Sequence, residues 1–506
     1  MSTAKTWLMG IDIGASSLKT MIVAADGRVG GTAGVDIETR SAHPGWSEQD
    51  PADWWQALCA TVPRALAEAG IAADDIAAVA FSAGAHTPVL EDAQGKVIRP
   101  AILWSDGRSG AESKELQEKY GAEILAIGCN RPAPTWTQSQ LLWLARHEPE
   151  ALARTKRLYV AKDWLRSRLT GTWETDPTEA VGTLLFDGAK NVWSERLCAM
   201  IDLDMRKLPP IVTPTTVVGT VLPAAARASG LAPGTPVVCG SSDTSVEAYG
   251  AGAIAVGQGT VKLATAAAVS IIGREPRVHQ TLINYPFAVP GHWYTITATN
   301  SCASAHRWLR DRFFLAPGGN GAEAFATMDR LAAATAPGAD GLLFHPYLQG
   351  ERAPHWDPLL RADFVGMTFR HDRGHFVRAL YEGIAFSLRD VLEQLRAQHL
   401  DMGEARIIGG GSRSATWRQI VADALGISIL VPRVTDASFG AALIAGVGVG
   451  VFPDEITAAR QCVSVIARHE PDPARRPLYE QMYGIYHDAA KQLIDINHRL
   501  AAVGRA

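Results

Sequence analysis

One pattern occurs in both halves of this chain: a short apolar run stops at glycine and small polar residues, with a helix-forming stretch nearby. Residues 7–14 are apolar around Asp12 and read as a buried strand, and the turn Gly14-Ala15-Ser16-Ser17 after them is small and polar. Residues 18–24 and 29–39 read as two more strands, joined at Ala25-Asp26-Gly27-Arg28, where Asp-Gly suits the positive φ of a tight hairpin. Residues 51–69 predict a helix, with Pro51 at its start and Trp54, Trp55, Leu58, Val62 and Leu66 at helical spacing. Residues 76–81 follow as a strand, so the order β-β-β-α-β predicts an α/β lobe with a mixed sheet. Later, 259–273 and 293–299 are strand-like, and 376–398 form a long helix with Leu380, Ile384, Leu388 and Leu395 on one face. The strand 406–408 then runs into Gly409-Gly410-Gly411-Ser412. Two α/β lobes of similar plan place a cleft between them, where small-molecule sites usually lie.

Composition narrows the function classes. Hydrophobic residues make up 47% and charged residues 20% of 506, which excludes a disordered, collagen-like or disulfide-scaffold chain. Lys+Arg is 48 against Asp+Glu 52, a net charge of −4. No global basic field therefore favours nucleic acid or an acidic membrane surface. Phosphates, if bound, need local devices: backbone amides, helix N-termini or a metal ion. The six cysteines are scattered without a CxxC pair or zinc spacing, which predicts reduced thiols and a cytoplasmic protein. The opening MSTAKTWLMGIDIG is too short and interrupted for a signal peptide. Apolar stretches such as 437–452 carry glycine throughout and read as buried helix and loop, not membrane span.

Three segments carry candidate chemistry. In Asp12-Ile-Gly14-Ala-Ser16-Ser17-Leu-Lys19-Thr20, an acid at a strand end precedes a glycine turn and two hydroxyls. That set suits a nucleotide phosphate and its metal, although a polar hairpin tip reads the same, and no Walker A loop is present. In Cys239-Gly240-Ser241-Ser242-Asp243-Thr244, a strand gives way to a small-residue helix, and Asp243 fits either a general base or a helix N-cap. In Ile408-Gly409-Gly410-Gly411-Ser412, glycines before a helix starting near Ala415 admit a ring or phosphate, or simply make a tight turn. Gly250-Ala-Gly252-Ala-Ile-Ala255 imitates a dinucleotide fingerprint but has a helix rather than a strand before it. His306, His345 and His355 read as hydrogen-bonding residues, Trp54, Trp55, Trp143, Trp164 and Trp193 as core, and Glu351-Arg352 as a structural ion pair.

Taken together the motifs resemble the FGGY carbohydrate kinases, and within them the xylulokinase branch. The matching stretches are DIGASSLK from Asp12, GWSEQDPADWW from Gly45, RPAILWSDGR from Arg99 and AKDWLRSRLTG from Ala161. SSDTS from Ser241, PYLQGERAPHWDP from Pro346, IIGGGSRSATWRQIVAD from Ile407 and ASFGAALIA from Ala437 follow in the family's order. The resemblance implies a two-lobed actin/ribonuclease-H-like ATPase fold with a central interlobe cleft, an N-terminal lobe at 1–250 and a C-terminal lobe at 251–506. It implies ATP and Mg²⁺ as cofactors, a small sugar as partner and, as one possibility, a homodimer. Asp12 matches the acid that organises Mg²⁺, and Gly14, Ser16, Ser17 and Lys19 match the first phosphate loop. Thr265 matches the second phosphate motif and Gly409, Gly410 and Gly411 the adenosine loop. Asp243 matches the catalytic base, and Ala85, His86 and Trp104 match sugar-contact positions.

Three departures stand out. The second phosphate motif reads Ala264-Thr265-Ala266 where relatives carry Gly-Thr-Ser. The sugar turn reads Gly84-Ala85-His86 where xylulokinases show Gln-Met-His. Thr137-Gln138-Ser139-Gln140 lacks a lysine that many relatives have. The expected reaction is ATP-dependent phosphorylation of D-xylulose to its 5-phosphate. Another ketose or polyol (L-xylulose, ribulose, a tetritol) and a sugar-binding pseudokinase are the alternatives.

Overall fold

The computed structural model describes residues 6–315 and 318–503; of the Pro- and Gly-rich stretch 317–321, whose composition reads as surface loop or helix end, Pro317 lies outside the described residues. The chain forms two compact units. Unit 1 comprises Met1–Ile254, Arg274–Tyr294 and Val434–Ser464, and unit 2 comprises Ala255–Gly273, Thr295–Arg433 and Val465–Ala506. The chain first crosses from unit 1 to unit 2 at 254/255 and then returns to unit 1 twice.

Unit 1 is built on a six-stranded sheet in the order Val217–Thr220, Pro236–Val238, Ile76–Ala83, Trp7–Ile13, Ser17–Ala24, Val29–Asp36. The strand Trp7–Ile13 runs parallel to Ile76–Ala83 and antiparallel to Ser17–Ala24. Its central place buries both faces, which is why its sequence is a near-continuous apolar run and not an alternating one. The register sets Asp12 beside Lys19 on one neighbour and Ser82 on the other. Helix Pro51–Ala69 has the bounds its sequence predicts, with an Asp50 side-chain cap at its start and left-handed Gly70 at its end. Trp54, Leu58 and Val62 on its buried face join the core of the sheet.

Unit 2 repeats the plan. The stretch 259–273 is a hairpin of Gln258–Leu263 and Ala267–Gly273. Its turn, Ala264-Thr265-Ala266, carries none of the Gly, Pro or Asn signals that mark turns in a sequence. From Gln258–Leu263 the sheet continues through parallel Glu404–Ile408 and Ser428–Pro432 to antiparallel Val465–His469. In unit 1 the same succession runs from Trp7–Ile13 through Ile76–Ala83 and Pro236–Val238 to Val217–Thr220. The turns 14–17 and 264–266 therefore hold equivalent places, and so do Gly84-Ala85-His86 and Gly409-Gly410-Gly411. All lie at or just beyond the carboxyl ends of strands, where open α/β sheets bind ligands.

Helix Ala437–Gly448 explains why Val434–Ser464 belongs to unit 1. Its small residues let it lie directly on the central strand: a Cβ built on Gly10 would stand 1.8 Å from the Ser438 carbonyl oxygen. A Cβ on Gly440 would stand 2.0 Å from the Val246 carbonyl, and one on Gly250 would stand 2.9 Å from the Gly440 nitrogen. Gly250 thus serves close helix packing, not a dinucleotide. Gly10→Ala should cost about 3 kcal/mol, the upper end of ordinary overpacking, because backbone must move. Urea unfolding checks this, and an unchanged midpoint would mean that the helix does not rest on Gly10. Among the described residues no helix is long and apolar enough to cross a membrane.

Candidate active site

The carboxyl ends of the unit 1 strands bring the first candidates together. Asp12 is buried, and Ser82 Oγ donates to its Oδ1 at 2.7 Å. Burial, reinforced by the Asp243 and Asp436 carboxylates, pushes its pKa up to about 8. Lys19 does not neutralise it by direct contact, since Lys19 Nζ lies 2.9 Å from Asp436 Oδ2. Asp436 is itself held as the N-cap of Ala437–Gly448, accepting from Ser438 N and Oγ at 3.1 and 2.6 Å. The sequence reading missed Asp436 by starting its motif one residue late, although Asp before a small-residue helix is a cap signal. In the turn between the strands, Gly14 N donates to Ser17 O at 2.9 Å, and Ser16 is exposed.

Asp243 opens helix Asp243–Gly250, but the N-cap is Ser242. Asp243 Oδ1 accepts from the adjacent Thr244 N at 2.6 Å. A Cβ on Gly84 would stand 2.9 Å from the Trp104 indole and 3.9 Å from Asp243 Oδ2. The glycine is therefore the point where Trp104, itself 44% exposed, comes near Asp243. Gln140, in the stretch that lacks a lysine, donates from Nε2 to the Leu103 carbonyl at 3.1 Å and so fixes the backbone that presents Trp104.

His86 is buried with φ 69°, a left-handed conformation imposed on a non-glycine residue at the strand end. Its Nε2 is 2.6 Å from the Tyr285 hydroxyl, and its ring meets the Trp136 ring edge-on at 4.0 Å. Burial pushes its pKa down to about 3, so the ring is a neutral hydrogen-bonding group. Tyr285 stacks between Trp136 and Tyr294 at centroid distances of 6.0 and 5.4 Å. Tyr294 Oη in turn lies 2.7 Å from Thr244 Oγ1. This aromatic row runs from His86 to the residue after Asp243. Trp136, Tyr285 and Tyr294 escaped the sequence reading because nothing in their spacing connects them.

A buried ion cluster anchors the same region. Lys162 Nζ is 2.6 Å from Asp163 Oδ1 and 2.9 Å from Asp176 Oδ1. Ser241 Oγ donates to Asp176 Oδ2 at 2.8 Å, tying the cluster to the segment that presents Asp243. The AKDWLRSRLTG motif is thus a support beneath the site.

Unit 2 holds the remaining candidates. A Cβ on Gly409, whose φ is 86°, would stand 2.6 Å from the Leu263 carbonyl, so the glycine loop lies against the 264–266 turn. The Thr265 carbonyl accepts from Cys302 N, Ser304 N and Ser304 Oγ at 3.0, 3.2 and 2.8 Å, and Thr265 Oγ1 accepts from Arg307 at 3.2 Å. Bonds from the start of helix Ala303–Phe313 thus hold a turn that has lost its glycine. Beside it opens a cavity of about 450 Å³ lined by His306, Arg307, Tyr381, Gly410, Gly411 and Trp417. Tyr381 and Trp417 stack at 4.6 Å with an interplanar angle of 3°. His306 is a core hydrogen-bonder, as expected, facing Tyr381 Oη at 3.2 Å, and it also walls the cavity. Glu351 and Arg352 correct their expected reading. The Glu351 carboxylate accepts backbone N–H groups of Asn300 and Arg352, while the Arg352 guanidinium turns to the Thr299 carbonyl.

The two α/β units share one plan, and one carries buried carboxylates at its strand ends while the other carries a glycine-lined aromatic cavity. The FGGY family of carbohydrate kinases matches the chain with its N-terminal domain at residues 7–250 and its C-terminal domain at 259–449. The chain is 31% identical over 501 residues to a xylulose kinase of Bacillus subtilis, covering 98% of each. A gluconokinase of Bacillus subtilis is 27% identical over 474 residues, 92% of each. The solved xylulose kinase of Rhodospirillum rubrum superposes with a TM-score of 0.88 at 28% identity, over 97% of this chain and all of that one. The chain belongs to the FGGY family of carbohydrate kinases and is a sugar kinase.

Proposed function

We propose that the chain transfers the γ-phosphoryl group of ATP to D-xylulose, giving D-xylulose 5-phosphate and ADP in the cytoplasm. The observation that carries the reading is the placement of Asp243 beside Gly84 and Trp104, within electrostatic reach of the buried Asp12. Asp243 takes the proton from the attacking hydroxyl, whose oxygen then bonds to the γ-phosphorus as the bond to ADP breaks. Ala85, His86 and Trp104 contact the sugar. The aromatic row keeps His86 neutral and fixed, so that it serves as a hydrogen-bonding group rather than a charge.

Asp12 fits a Mg²⁺ site: a buried carboxyl next to two further carboxylates is stabilised by a cation. Among the described residues no three His, Cys, Asp or Glu side chains could hold a metal by themselves. Mg²⁺ is usually held by one or two carboxylates together with water and substrate phosphates. Bound there, it supplies charge neutralisation at the transferring group. In unit 1 the phosphate-binding residues are Gly14, Ser16, Ser17 and Lys19; in unit 2 the phosphate contact is Thr265, with Arg307 as an added cation. The cavity at Gly409, Gly410 and Gly411 takes adenosine.

The whole-length similarity to xylulose kinases supports the sugar named. The small Gly84-Ala85 turn favours a second reading, another ketose or polyol. ADP release across a panel of ketoses, polyols and gluconate tests both. D-xylulose should give the highest kcat/KM, and a panel without turnover would point to a pseudokinase.

Two substitutions probe the halves separately. Replacing Gly84-Ala85 by Gln-Met drives a side chain into the Trp104 indole and should shift relative kcat/KM among ketoses about 10-fold or more. Unchanged preference would place the turn outside the sugar site. Gly410 faces open space, so a side chain there costs the fold little and fills the cavity. Gly410→Leu should raise KM for ATP about 10-fold or more with KM for sugar unchanged, and an unaltered ATP KM would remove adenosine from this cavity.

A further inference from the structure

Glu179 has no role in the chemistry described so far, yet it is buried to 1% exposure and neither carboxyl oxygen has a hydrogen-bond partner among the described residues. A buried carboxyl without partners is costly and calls for an explanation. Its surroundings supply one. Glu179 lies in the short helix Pro177–Gly182, which three pieces of the sugar region enclose. On one side, a Cβ on Gly182 would stand 3.3 Å from Ala85 Cβ and 3.8 Å from His86 N. On a second side, Thr178 Oγ1 donates to the Pro286 carbonyl at 2.9 Å, next to Tyr285. On the third, Asp176 and Thr178 both bond Ser241 Oγ, two residues before Asp243. Glu179 and Gly182 are three apart and share a helix face, the face turned to Ala85 and His86. The Glu179 carboxyl also lies within electrostatic reach of Asp243, Tyr285 and Tyr294.

We propose that Glu179 is a specificity-determining residue of the sugar site, whose carboxyl group hydrogen-bonds one hydroxyl of the acceptor. The assignment rests on the sugar-kinase reading above. Burial holds Glu179 well above the usual carboxylate range; Lys162 pulls it back, and Asp176, Asp163 and Asp243 add to the rise. A protonated carboxyl is both donor and acceptor, which suits a hydroxyl and disfavours an anionic acceptor. A site built to bond a hydroxyl rejects the analogue that lacks it, because its own polar group is then left unpaired.

The test compares the parent with Glu179→Met, of similar shape without the hydrogen bond, and Glu179→Gln, which keeps one. Each is assayed on D-xylulose and on its singly deoxygenated analogues, with ATP saturating. Glu179→Met should unfold at the parent temperature or above, since it removes a buried polar group. It should lose about 10- to 100-fold in kcat/KM on D-xylulose. Against the analogue missing the contacted hydroxyl, it should match the parent, and KM for ATP should stay fixed. Glu179→Gln should recover to within about threefold of the parent on D-xylulose, as retention of a hydrogen bond requires. The proposal is overturned if folded Glu179→Met turns over D-xylulose like the parent, or if it loses equally on every analogue. If the Met variant does not fold, Glu179→Leu takes its place: a loss of discrimination confined to one hydroxyl supports the proposal, and a loss at none or equally at all overturns it. The parent's own turnover on the panel reports separately on the sugar-kinase reading.

Discussion

Asp243→Asn should leave sugar binding nearly intact and lower kcat by ~10²–10⁴, the range for losing a general base. Asparagine keeps an oxygen where Oδ1 accepts from Thr244 N, so the start of helix Asp243–Gly250 has no reason to change. It cannot take a proton from the attacking hydroxyl. The loss should therefore fall on kcat, with KM for sugar within a few-fold of the parent. Single-turnover kinetics on folded protein measures this, with calorimetry for sugar affinity. An Asn variant turning over at the parent rate would remove Asp243 from proton transfer.

Asp12→Asn should lower turnover by about 100-fold and flatten its dependence on Mg²⁺ concentration. The same substitution should stabilise the chain when nucleotide and metal are absent. The folded pKa of Asp12 is about 8 against 3.8 as the ordinary value, so folding favours the protonated carboxyl. The stabilising contribution is complete below pH about 4 and is lost as pH rises through about 8. Asparagine does not titrate. Thermal melts in chelator should thus show the variant gaining on the parent between pH 5 and pH 8.5, as this linkage requires. A constant gap across that range would mean that Asp12 is not a buried acid under strain from its neighbours, and superimposed Mg²⁺ titrations would take it out of the metal's surroundings.

Much of this site was legible because each motif sits at a strand end, and strand ends show in a sequence. Asp12 stands near the end of a buried apolar strand, and Asp243 and Gly409 come after two others, all three strands lying inside their sheets rather than at an edge. Helix Pro51–Ala69 was legible at both ends because its caps are local: Asp50 and Pro51 open it and Gly70 closes it. What was hidden depends on tertiary placement. Tyr285 reaches His86 across 199 residues, and no periodicity records that. Asp436 pairs with Lys19 across 417 residues, because glycine at position 10 lets a later helix settle on the first strand. The same packing explains why residues 434–464 belong to unit 1, which composition along the chain does not show. Arg307 reads as an exposed helix residue until the hairpin turn at Thr265 is seen against it.

The central claim is transfer of phosphate from ATP to a primary hydroxyl of a ketopentose, and ³¹P spectroscopy of the reaction mixture tests it most directly. With D-xylulose, ATP and Mg²⁺, the account predicts a phosphomonoester signal coupled to the C5 protons, growing in step with ADP and absent with Asp243→Asn. ADP without a sugar phosphate, or a phosphate ester formed from gluconate but not from D-xylulose, would contradict it.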